Sequence, residues 1–388
     1  KKKIFTLYLS IFFSLYLIET FLNFYGKYDE LNQIVDKYKL YEDRINTYNS
    51  LKEKLSKNVY FYIQNLASKK NLQKYPLSGI KNTHTIHCKE NGYYSTYDSD
   101  RYGFNNPDEI WDISSHDVLL IGDSFVHGAC VFREFTFAGN FRKISRQNKS
   151  IVNLGWSGSG PLQEYATLKE YFKRFNSKNV IWFFFENDFI NLKDEIENNI
   201  LIRYLEKNFD QDYFTKIENY EDMLKDIHKS ELEKIHDYLR ENKLFYSIKQ
   251  NSFLTFFLFK KKKNLIFNFV KYKMHKEPKI ENNIYNNFNL ILKTSVSLTK
   301  KNGGNFYFVF LPSIKRYKNN YNIDEDYLKL KSIIKKQNIN FIDVNEEIQK
   351  LVKDPVSLYS MKKNSHYSPK GYKIISDLVY KKIFNKNE

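Results

Sequence analysis

The sequence predicts an α/β protein in which a parallel β-sheet lies between two layers of helices, a three-layer sandwich. The first observation is a set of short, continuously apolar runs, each followed by loop residues, as is typical of parallel strands buried on both faces. The runs cover residues 118–121, 151–154, 180–185, 306–311 and 341–344. The second observation is that helical stretches such as residues 162–175 separate the runs, which indicates a doubly wound sheet.

The composition is that of a folded, strongly basic protein. The chain has 388 residues, 42% of them hydrophobic, with a formal net charge of +17 and only 13 Gly and 7 Pro. These values exclude a disordered or collagen-like chain. The lysines are spread along the whole chain, with no arginine-rich arm or helix-turn-helix spacing, so we predict no nucleic-acid partner. A diffuse positive field suits anionic lipid or an acidic glycan better.

The N-terminal residues predict a membrane anchor. Three lysines, Lys1 to Lys3, precede an apolar segment over residues 4–25, which is long enough to cross a bilayer. Residues 17–25 contain no Ala-x-Ala cleavage site, which argues against a removed signal peptide. We therefore expect a transmembrane anchor in residues 1–27, with the large domain on the extracytoplasmic, periplasmic side.

Residues 28–75 are predicted to form a helical stalk, because apolar residues recur there at alternating spacings of three and four. The apolar stripe of this stalk either packs on its own domain or associates with a second copy as a short coiled coil.

Residues 76–388 form the predicted main domain, which an inserted helical region interrupts at about residues 192–300. The insertion is rich in Lys, Glu, Asn and Tyr and is expected to cap the edge of the sheet that carries the site. Within it, the aromatic segment 253–259 runs into the lysines 260–263. That segment indicates either contact with a membrane surface or polymer, or two core helices joined by a lysine-rich loop.

Four short blocks follow strand ends or precede the last helix, where the ligands of such a sheet bind. The blocks are Gly122-Asp123-Ser124, the glycine-rich loop 153–160, Asn187-Asp188, and His366. Together they supply a hydroxyl, glycine amides, a carboxamide and an imidazole. These are the groups that acyl transfer needs.

In this order, the four blocks resemble the SGNH, or GDSL-type, hydrolase family over about residues 95–190 and 300–380. The resemblance implies a flavodoxin-like three-layer sandwich and ester chemistry that needs no cofactor and no metal. By type and order, the family's site residues fall on Ser124, Gly158, Asn187 and His366.

The chemistry of these residues agrees with that assignment. A serine hydroxyl is a poor nucleophile until a base removes its proton, and an imidazole suits this task, so we expect Ser124 to be the nucleophile and His366 its base. The backbone N–H groups of Ser124 and Gly158 and the side chain of Asn187 are the expected donors to the oxyanion. The alternative is structural: Ser124, Asn187 or Asp188 as helix caps, and the glycines as turn formers.

Two positions depart from the family pattern, and one of them is the glycine expected before Asn187, where Phe185-Glu186 stands instead. The family usually has an Asp three residues before the catalytic His, and that position is Lys363. The residue that orients His366 is therefore Asn364, a backbone carbonyl, a carboxylate from elsewhere, or none. Further candidate neighbours of the site are Asp123, His127, Trp156 and Asp188. Whether Cys88 pairs with Cys130 is left open, although such a bond would brace the helix that follows Ser124.

The predicted function is a serine esterase that removes acyl groups, expected to be O-acetyl groups of a cell-envelope polysaccharide, through an acyl-Ser124 intermediate. An O-acyltransferase of the same glycan is the first alternative, because a sugar hydroxyl can replace water. A noncatalytic glycan-binding or scaffold protein on the same fold is the second.

Overall fold

The computed structural model describes residues 8, 10–17, 27–63, 72, 74–172, 174–251, 280–318, 325–363 and 365–384. Its named helices are α1 (Lys27–Lys54), α2 (Ser124–His127), α3 (Phe137–Ile144), α4 (Pro161–Phe172), α5 (Asp188–Ile196), α6 (Glu218–Asn251), α7 (Asn282–Lys301), α8 (Glu325–Lys336), α9 (Val344–Leu351) and α10 (Pro369–Phe384). Its strands are β1 (Val59–Phe61), β2 (His84–Ile86), β3 (Thr96–Asp98), β4 (Ser115–Ile121), β5 (Ile151–Asn153), β6 (Asn176–Phe185), β7 (Asn305–Leu311) and β8 (Asn340–Asp343).

The main sheet has five parallel strands in the order β5-β4-β6-β7-β8. All five apolar runs singled out in the sequence are strands of this sheet, so the predicted parallel α/β architecture is confirmed. Within this sheet, β4 comes first along the chain, β5 second and β6 third. Strand β4 lies between the other two, as in flavodoxin-like sheets. Leu119 of β4, for example, pairs with Val152 of β5 on one side and Val180 of β6 on the other.

Alternate residues of the strands face two separate hydrophobic cores, because side chains of a strand point to opposite faces. Leu119 and Trp182 belong to the core that also contains residues of α4, α5, α7 and α8. Val118 and Phe183 belong to the other core, which contains residues of α3, α9 and α10. The sheet is therefore the middle layer of three, as predicted.

Part of the predicted insertion belongs to the sandwich. Residues 192–300 lie between β6 and β7, and α7 at the end of this stretch buries Phe288 and Ile291 in the core under the sheet. A parallel pair of strands needs a crossover connection, usually helical, that packs back on the sheet, and α7 ends directly before β7.

The predicted helical stalk is shorter than residues 28–75. Helix α1 ends at Lys54, and β1 follows as a strand that pairs in parallel with β2. Val, Tyr and Phe favour extended structure, and Val59 and Phe61 bury their side chains on the small sheet of β1, β2 and β3. Self-association of the stalk stays a prediction.

The chain divides into two units, residues 1–53 with 229–277 and residues 54–228 with 278–388. In the first unit, Tyr38 of α1 stacks on Tyr246 of α6 with ring centroids 4.2 Å apart. Tyr238 of α6 donates a hydrogen bond to the carbonyl of Ile34 at 3.2 Å. The second unit contains the main sheet and the whole candidate site.

The predicted membrane segment, residues 4–25, lies mostly outside the described residues, which include residues 10–17 of it as helix. Within the described part of the chain, no helix is both long enough and apolar enough to cross a membrane. The aromatic and lysine-rich segment 253–263 also lies outside the described residues.

Candidate active site

Ser124 begins α2 in a tight turn at the end of β4. A Cβ atom on Gly122 would lie 2.5 Å from Val126 Cγ2 and 2.7 Å from the carbonyl oxygen of Phe183, so the turn requires glycine. The N-cap of α2 is Asp123, whose Oδ1 accepts the backbone N–H of Phe125 at 2.9 Å. Ser124 is therefore not the helix cap, and its hydroxyl is left for other partners.

The hydroxyl of Ser124 is hydrogen-bonded to His366, 242 positions further along the chain, with 2.8 Å between Oγ and Nε2. The His366 loop is held by Tyr359 and Tyr367, which form a β-bridge and whose hydroxyls donate to the carbonyl of Pro312 at 2.6 and 3.0 Å. The pair that the sequence singled out as nucleophile and base is thus within hydrogen-bond reach.

Glu90 completes a chain of three polar groups behind Ser124. Both of its carboxylate oxygens lie 3.1 Å from His366 Nδ1, and Oε2 also accepts the backbone N–H of His366 at 2.8 Å. A proton on Nδ1 that is donated to this carboxylate leaves Nε2 unprotonated towards Ser124. Burial alone raises the pKa of Glu90, but the hydrogen bonds with His366 outweigh it and lower the pKa below its ordinary value. Glu90 is therefore a carboxylate at neutral pH.

The orienting residue of His366 is thus the carboxylate from elsewhere in the chain, one of the alternatives that the sequence left open. Asn364, another of them, lies outside the described residues. Lys363, at the usual position of the acid, donates its backbone N–H to the carbonyl of Ser360 at 3.1 Å.

A disulfide joins the segment of Glu90 to the segment of Ser124. Cys88 is bonded to Cys130. Cys88 precedes Glu90 by two residues, and Cys130 follows Ser124 by six. Asn91 adds a hydrogen bond from Nδ2 to the carbonyl of Cys130, at 2.9 Å. The sequence signal that could have found Glu90 is its closeness to Cys88, because pairing of Cys88 with Cys130 brings residue 90 near residue 124.

One group in the described residues has the ligand types of a metal site. Potential ligand atoms of Glu90, Cys130 and His366 lie within 4.8 Å of one another. The sulfur of Cys130 is in the disulfide, however, and metal binding needs a thiolate. The remaining two groups are hydrogen-bonded to each other, so the cluster does not have the ligand set of a metal centre.

The glycine-rich loop lies beside the turn of residues 122–124. Trp156 donates its backbone N–H to the carbonyl of Gly122 at 3.2 Å, and Asn191 of α5 donates from Nδ2 to the carbonyl of Ser159 at 2.9 Å. Gly158 has φ +82°, a conformation that favours glycine. Its backbone N–H makes no hydrogen bond within the described residues, so it is available to a substrate oxygen.

Asn187 has no role as a helix cap. It precedes α5, but its side chain makes no capping hydrogen bond, and its buried Oδ1 has no partner within the part of the chain that is described. Asp188 is the structural residue of this pair, because its Oδ2 accepts the backbone N–H of Phe185 at 2.8 Å. Burial, with Glu164 and Asp123 nearby, raises the pKa of Asp188 well above its ordinary value.

The other predicted neighbours of the site have different partners. Asp123 Oδ2 lies 3.3 Å from Ser124 Oγ, further than His366 Nε2. His127 hydrogen-bonds Ser157 and Tyr97 instead of Ser124. The ring of Trp156 stacks on that of His127, with centroids 4.9 Å apart. His127 and Trp156 thus support the glycine-rich loop.

No protein-family model and no curated protein matches this chain. Among solved structures, a lipolytic protein of the G-D-S-L family from Desulfitobacterium hafniense shares 14% identity over 70% of this chain and 100% of its own, with a TM-score of 0.33. An acetyl xylan esterase shares 10% over 69% of this chain and 100% of its own, with a TM-score of 0.38. An acetylxylan esterase from Geobacillus stearothermophilus shares 12% over 69% of this chain and 94% of its own, with a TM-score of 0.35. The first carries the name of the family that the Gly-Asp-Ser block resembles, but similarity at this level does not establish an activity, so a function for this chain has to follow from the site.

Proposed function

We propose that the chain is a serine esterase that cleaves acyl esters through an acyl-Ser124 intermediate. The observation that carries the proposal is the continuous hydrogen-bonded chain from the Ser124 hydroxyl through the His366 ring to the Glu90 carboxylate. A nucleophile, a base and a group that orients the base, in this order, are the working parts of covalent ester catalysis.

In the first half of the reaction, Ser124 Oγ attacks the carbonyl carbon of the ester while His366 Nε2 takes the hydroxyl proton. The carbonyl oxygen becomes an oxyanion, and the backbone N–H groups of Ser124 and Gly158 and the Asn187 carboxamide are its candidate donors. The tetrahedral intermediate then expels the alcohol, which receives its proton from His366. Glu90 stabilises the imidazolium throughout, because it is a carboxylate in contact with Nδ1.

In the second half, His366 removes a proton from water, which attacks the acyl-Ser124 carbonyl. The tetrahedral intermediate then expels Ser124 Oγ, which takes the proton from His366, and the carboxylic acid is released. If a sugar hydroxyl takes the place of water, the same groups transfer the acyl group to the sugar. An O-acyltransferase is therefore the alternative that needs no further residue.

For the substrate, we propose the O-acetyl esters of a cell-envelope polysaccharide, processed outside the cytoplasm. The support is the sequence alone: the apolar segment over residues 4–25 and the diffuse positive charge of +17. Acetate release from an acetylated polysaccharide, compared with release from short aryl esters, tests this part separately from the chemistry.

The proposal is tested with the full chain, an aryl acetate and a serine-directed phosphonate. We expect hydrolysis and one phosphonate adduct, which mass spectrometry locates on Ser124. Ser124→Ala removes both, and His366→Ala lowers hydrolysis by about 10⁴-fold or more. Ser145→Ala is the matched control, because the hydroxyl of Ser145 donates only to the Arg142 carbonyl at the end of α3.

A folded wild-type chain that neither hydrolyses esters nor reacts with the phosphonate contradicts the proposal and favours a noncatalytic glycan-binding protein. Addition of a sugar acceptor during turnover separates the two enzymes. If acylated sugar exceeds free acid, the chain is a transferase.

A further inference from the structure

A second buried cluster of polar side chains surrounds Ser157 of the glycine-rich loop. We call it the Ser157 network and define it as Tyr62, His87, Tyr97, His127 and Ser157. All five side chains are buried, and Ser157 is only 5% exposed. The network lies outside the Ser124–His366–Glu90 chain, and the proposed reaction leaves it without a role.

Every polar atom of Ser157 is bonded within this network. Its backbone N–H donates to His127 Nδ1 at 3.1 Å, and its Oγ lies 3.0 Å from the same nitrogen. Because His127 Nδ1 accepts, the proton of this ring is on Nε2, which lies 2.8 Å from the Tyr97 hydroxyl. His87 Nε2 lies 2.9 Å from Ser157 Oγ, and the hydroxyl of Tyr62 donates to the carbonyl of Ser157.

The bond from Tyr62 also sets the direction of the next N–H group. The Ser157 carbonyl and the Gly158 N–H belong to one peptide plane, and the described peptide bonds include no cis bond. In a trans peptide the C=O and N–H point in opposite directions. Holding the carbonyl towards the buried Tyr62 hydroxyl therefore turns the Gly158 N–H away from it, and within the described residues this N–H has no hydrogen-bond partner.

The network does not have the parts of a second nucleophile site. Within the described residues, the ring nitrogens of His87 and His127 hydrogen-bond Ser157 and Tyr97 but no carboxylate. Burial, with His127 and His366 nearby, lowers the pKa of His87 well below its ordinary value. Burial and then His366 lower the pKa of His127 to about 3. Both rings are therefore neutral at working pH and act as fixed hydrogen-bonding groups.

We propose that Tyr62, His87 and His127 are positioning residues that lock the Ser157–Gly158 peptide, so that the Gly158 N–H is oriented before the oxyanion forms. The inference rests on the proposed esterase function and names the groups that prepare one of its oxyanion donors. An oriented donor lowers the barrier because it costs no reorganisation during the reaction.

The deciding variant is Tyr62→Phe, which keeps the ring packed on Trp156, 5.1 Å away, and removes only the hydroxyl. We measure kcat and KM for an aryl acetate, the inhibition constant of an alkyl boronic acid that forms a tetrahedral adduct on serine, and the melting temperature. Tyr204→Phe is the matched control, since Tyr204 is fully buried and its hydroxyl donates to Glu170 at 2.7 Å, away from the loop.

For Tyr62→Phe we expect kcat to fall about tenfold or more, with KM changed by less than about twofold, because a loosened donor acts in the transition state and not on bound substrate. The boronate inhibition constant rises by the same factor as kcat/KM falls. Tyr204→Phe changes the melting temperature and none of the kinetic values.

A folded Tyr62→Phe protein with wild-type kcat and wild-type boronate affinity overturns the inference, as does an equal loss in Tyr204→Phe. If Tyr62→Phe does not fold, Ser157→Ala is measured instead, because it removes the hydroxyl that both imidazoles contact. Unchanged kinetics of Ser157→Ala also overturn the inference. A wild-type chain without hydrolysis or labelling of Ser124 overturns the proposed function and this inference together. If the wild type is active and Tyr62→Phe has the same kcat and boronate affinity, only the inference is overturned and the proposed function stands.

Discussion

Glu90 holds His366 at two points, the ring and the main chain. Its carboxylate lies 3.1 Å from Nδ1 through both oxygens and accepts the backbone N–H of the same histidine at 2.8 Å, although 276 positions separate the two residues. One carboxylate thus sets both the tautomer of the imidazole and the position of the loop that carries it.

Glu90→Gln is expected to lower kcat by about 10³-fold, because an amide neither selects the tautomer nor stabilises the imidazolium as a carboxylate does. Steady-state hydrolysis of an aryl acetate measures the loss. Glu109→Gln is the control, because Glu109 is exposed on the short helix Asp108–Asp112. A Glu90→Gln enzyme with nearly wild-type kcat contradicts the role given to Glu90.

The same pair makes stability depend on pH in the acid range. The pKa of Glu90 is lower in the folded chain than the ordinary 4.5, so its contribution is complete above about pH 4.5 and is lost as the pH falls through the folded value. Denaturant unfolding at pH 3 to 7 measures this. The difference in free energy of unfolding between wild type and Glu90→Gln should be constant near neutrality and shrink in acid. A difference that grows in acid contradicts the sign.

Reduction of the Cys88–Cys130 disulfide is expected to lower activity through Glu90. Loss of the bond should cost about 2–4 kcal/mol of stability. At a temperature where the chain stays folded, a dithiol should also lower kcat, because Glu90 is no longer tied to the nucleophile segment. The sharper test compares reduction in two backgrounds. Reduction should lower kcat much less in Glu90→Gln than in the wild type, because the carboxylate that the disulfide positions is already absent. Equal losses in both backgrounds would assign the disulfide to general stability only.

Asn187→Ala is expected to lower kcat by about 10²- to 10³-fold while leaving stability almost unchanged. The reason is that the side chain makes no capping bond and its Oδ1 has no partner within the described residues. Thermal unfolding and kcat are measured together. Asn302→Ala, which removes an exposed hydrogen bond to Leu298, is the control. A large fall in melting temperature for Asn187→Ala would show a structural role.

Glu195 is expected to make the chain less stable in mild alkali. Its two oxygens accept the backbone N–H groups of Gly160 and Leu162 at 2.6 and 2.9 Å, but burial outweighs these bonds and raises its pKa from 4.5 to about 8. The folded chain keeps a proton that the unfolded chain releases, so the free energy of unfolding falls as the pH rises from about 4.5 to about 8. Glu195→Gln should flatten this slope, and the exposed Glu197→Gln should not. The same slope in both variants contradicts the assignment.

The segment from His87 to Glu90 shows why part of the site escapes prediction from sequence. In four consecutive residues it carries an imidazole of the Ser157 network, a half-cystine and the carboxylate behind His366. The segment precedes the main sheet, so the rule that ligands gather at the carboxyl ends of parallel strands does not point to it. The spacing of Cys88 and Glu90 was the available signal, and its meaning depended on a pairing that the sequence left open.

The end of α1 and the packing of α7 were also not predictable from the sequence, although their helical structure was. Helix is predicted in both regions, and both contain helix. Tertiary contacts decide the rest. Pairing of β1 with β2 makes the chain extended after residue 54, and α7 packs under the sheet. Local pattern specifies the type of element better than its end or its neighbour.

From the amino-acid sequence one can read the parallel α/β architecture and the identities of Ser124, Gly158, Asn187 and His366 as candidates, because buried strands must be continuously apolar and reactive residues follow their ends. Only the folded chain reveals Glu90 as the partner of His366 and the Ser157 network beneath the Gly158 peptide. Hydrogen bonds of about 3 Å join groups that lie far apart along the chain, and no periodicity or short motif records such a distance.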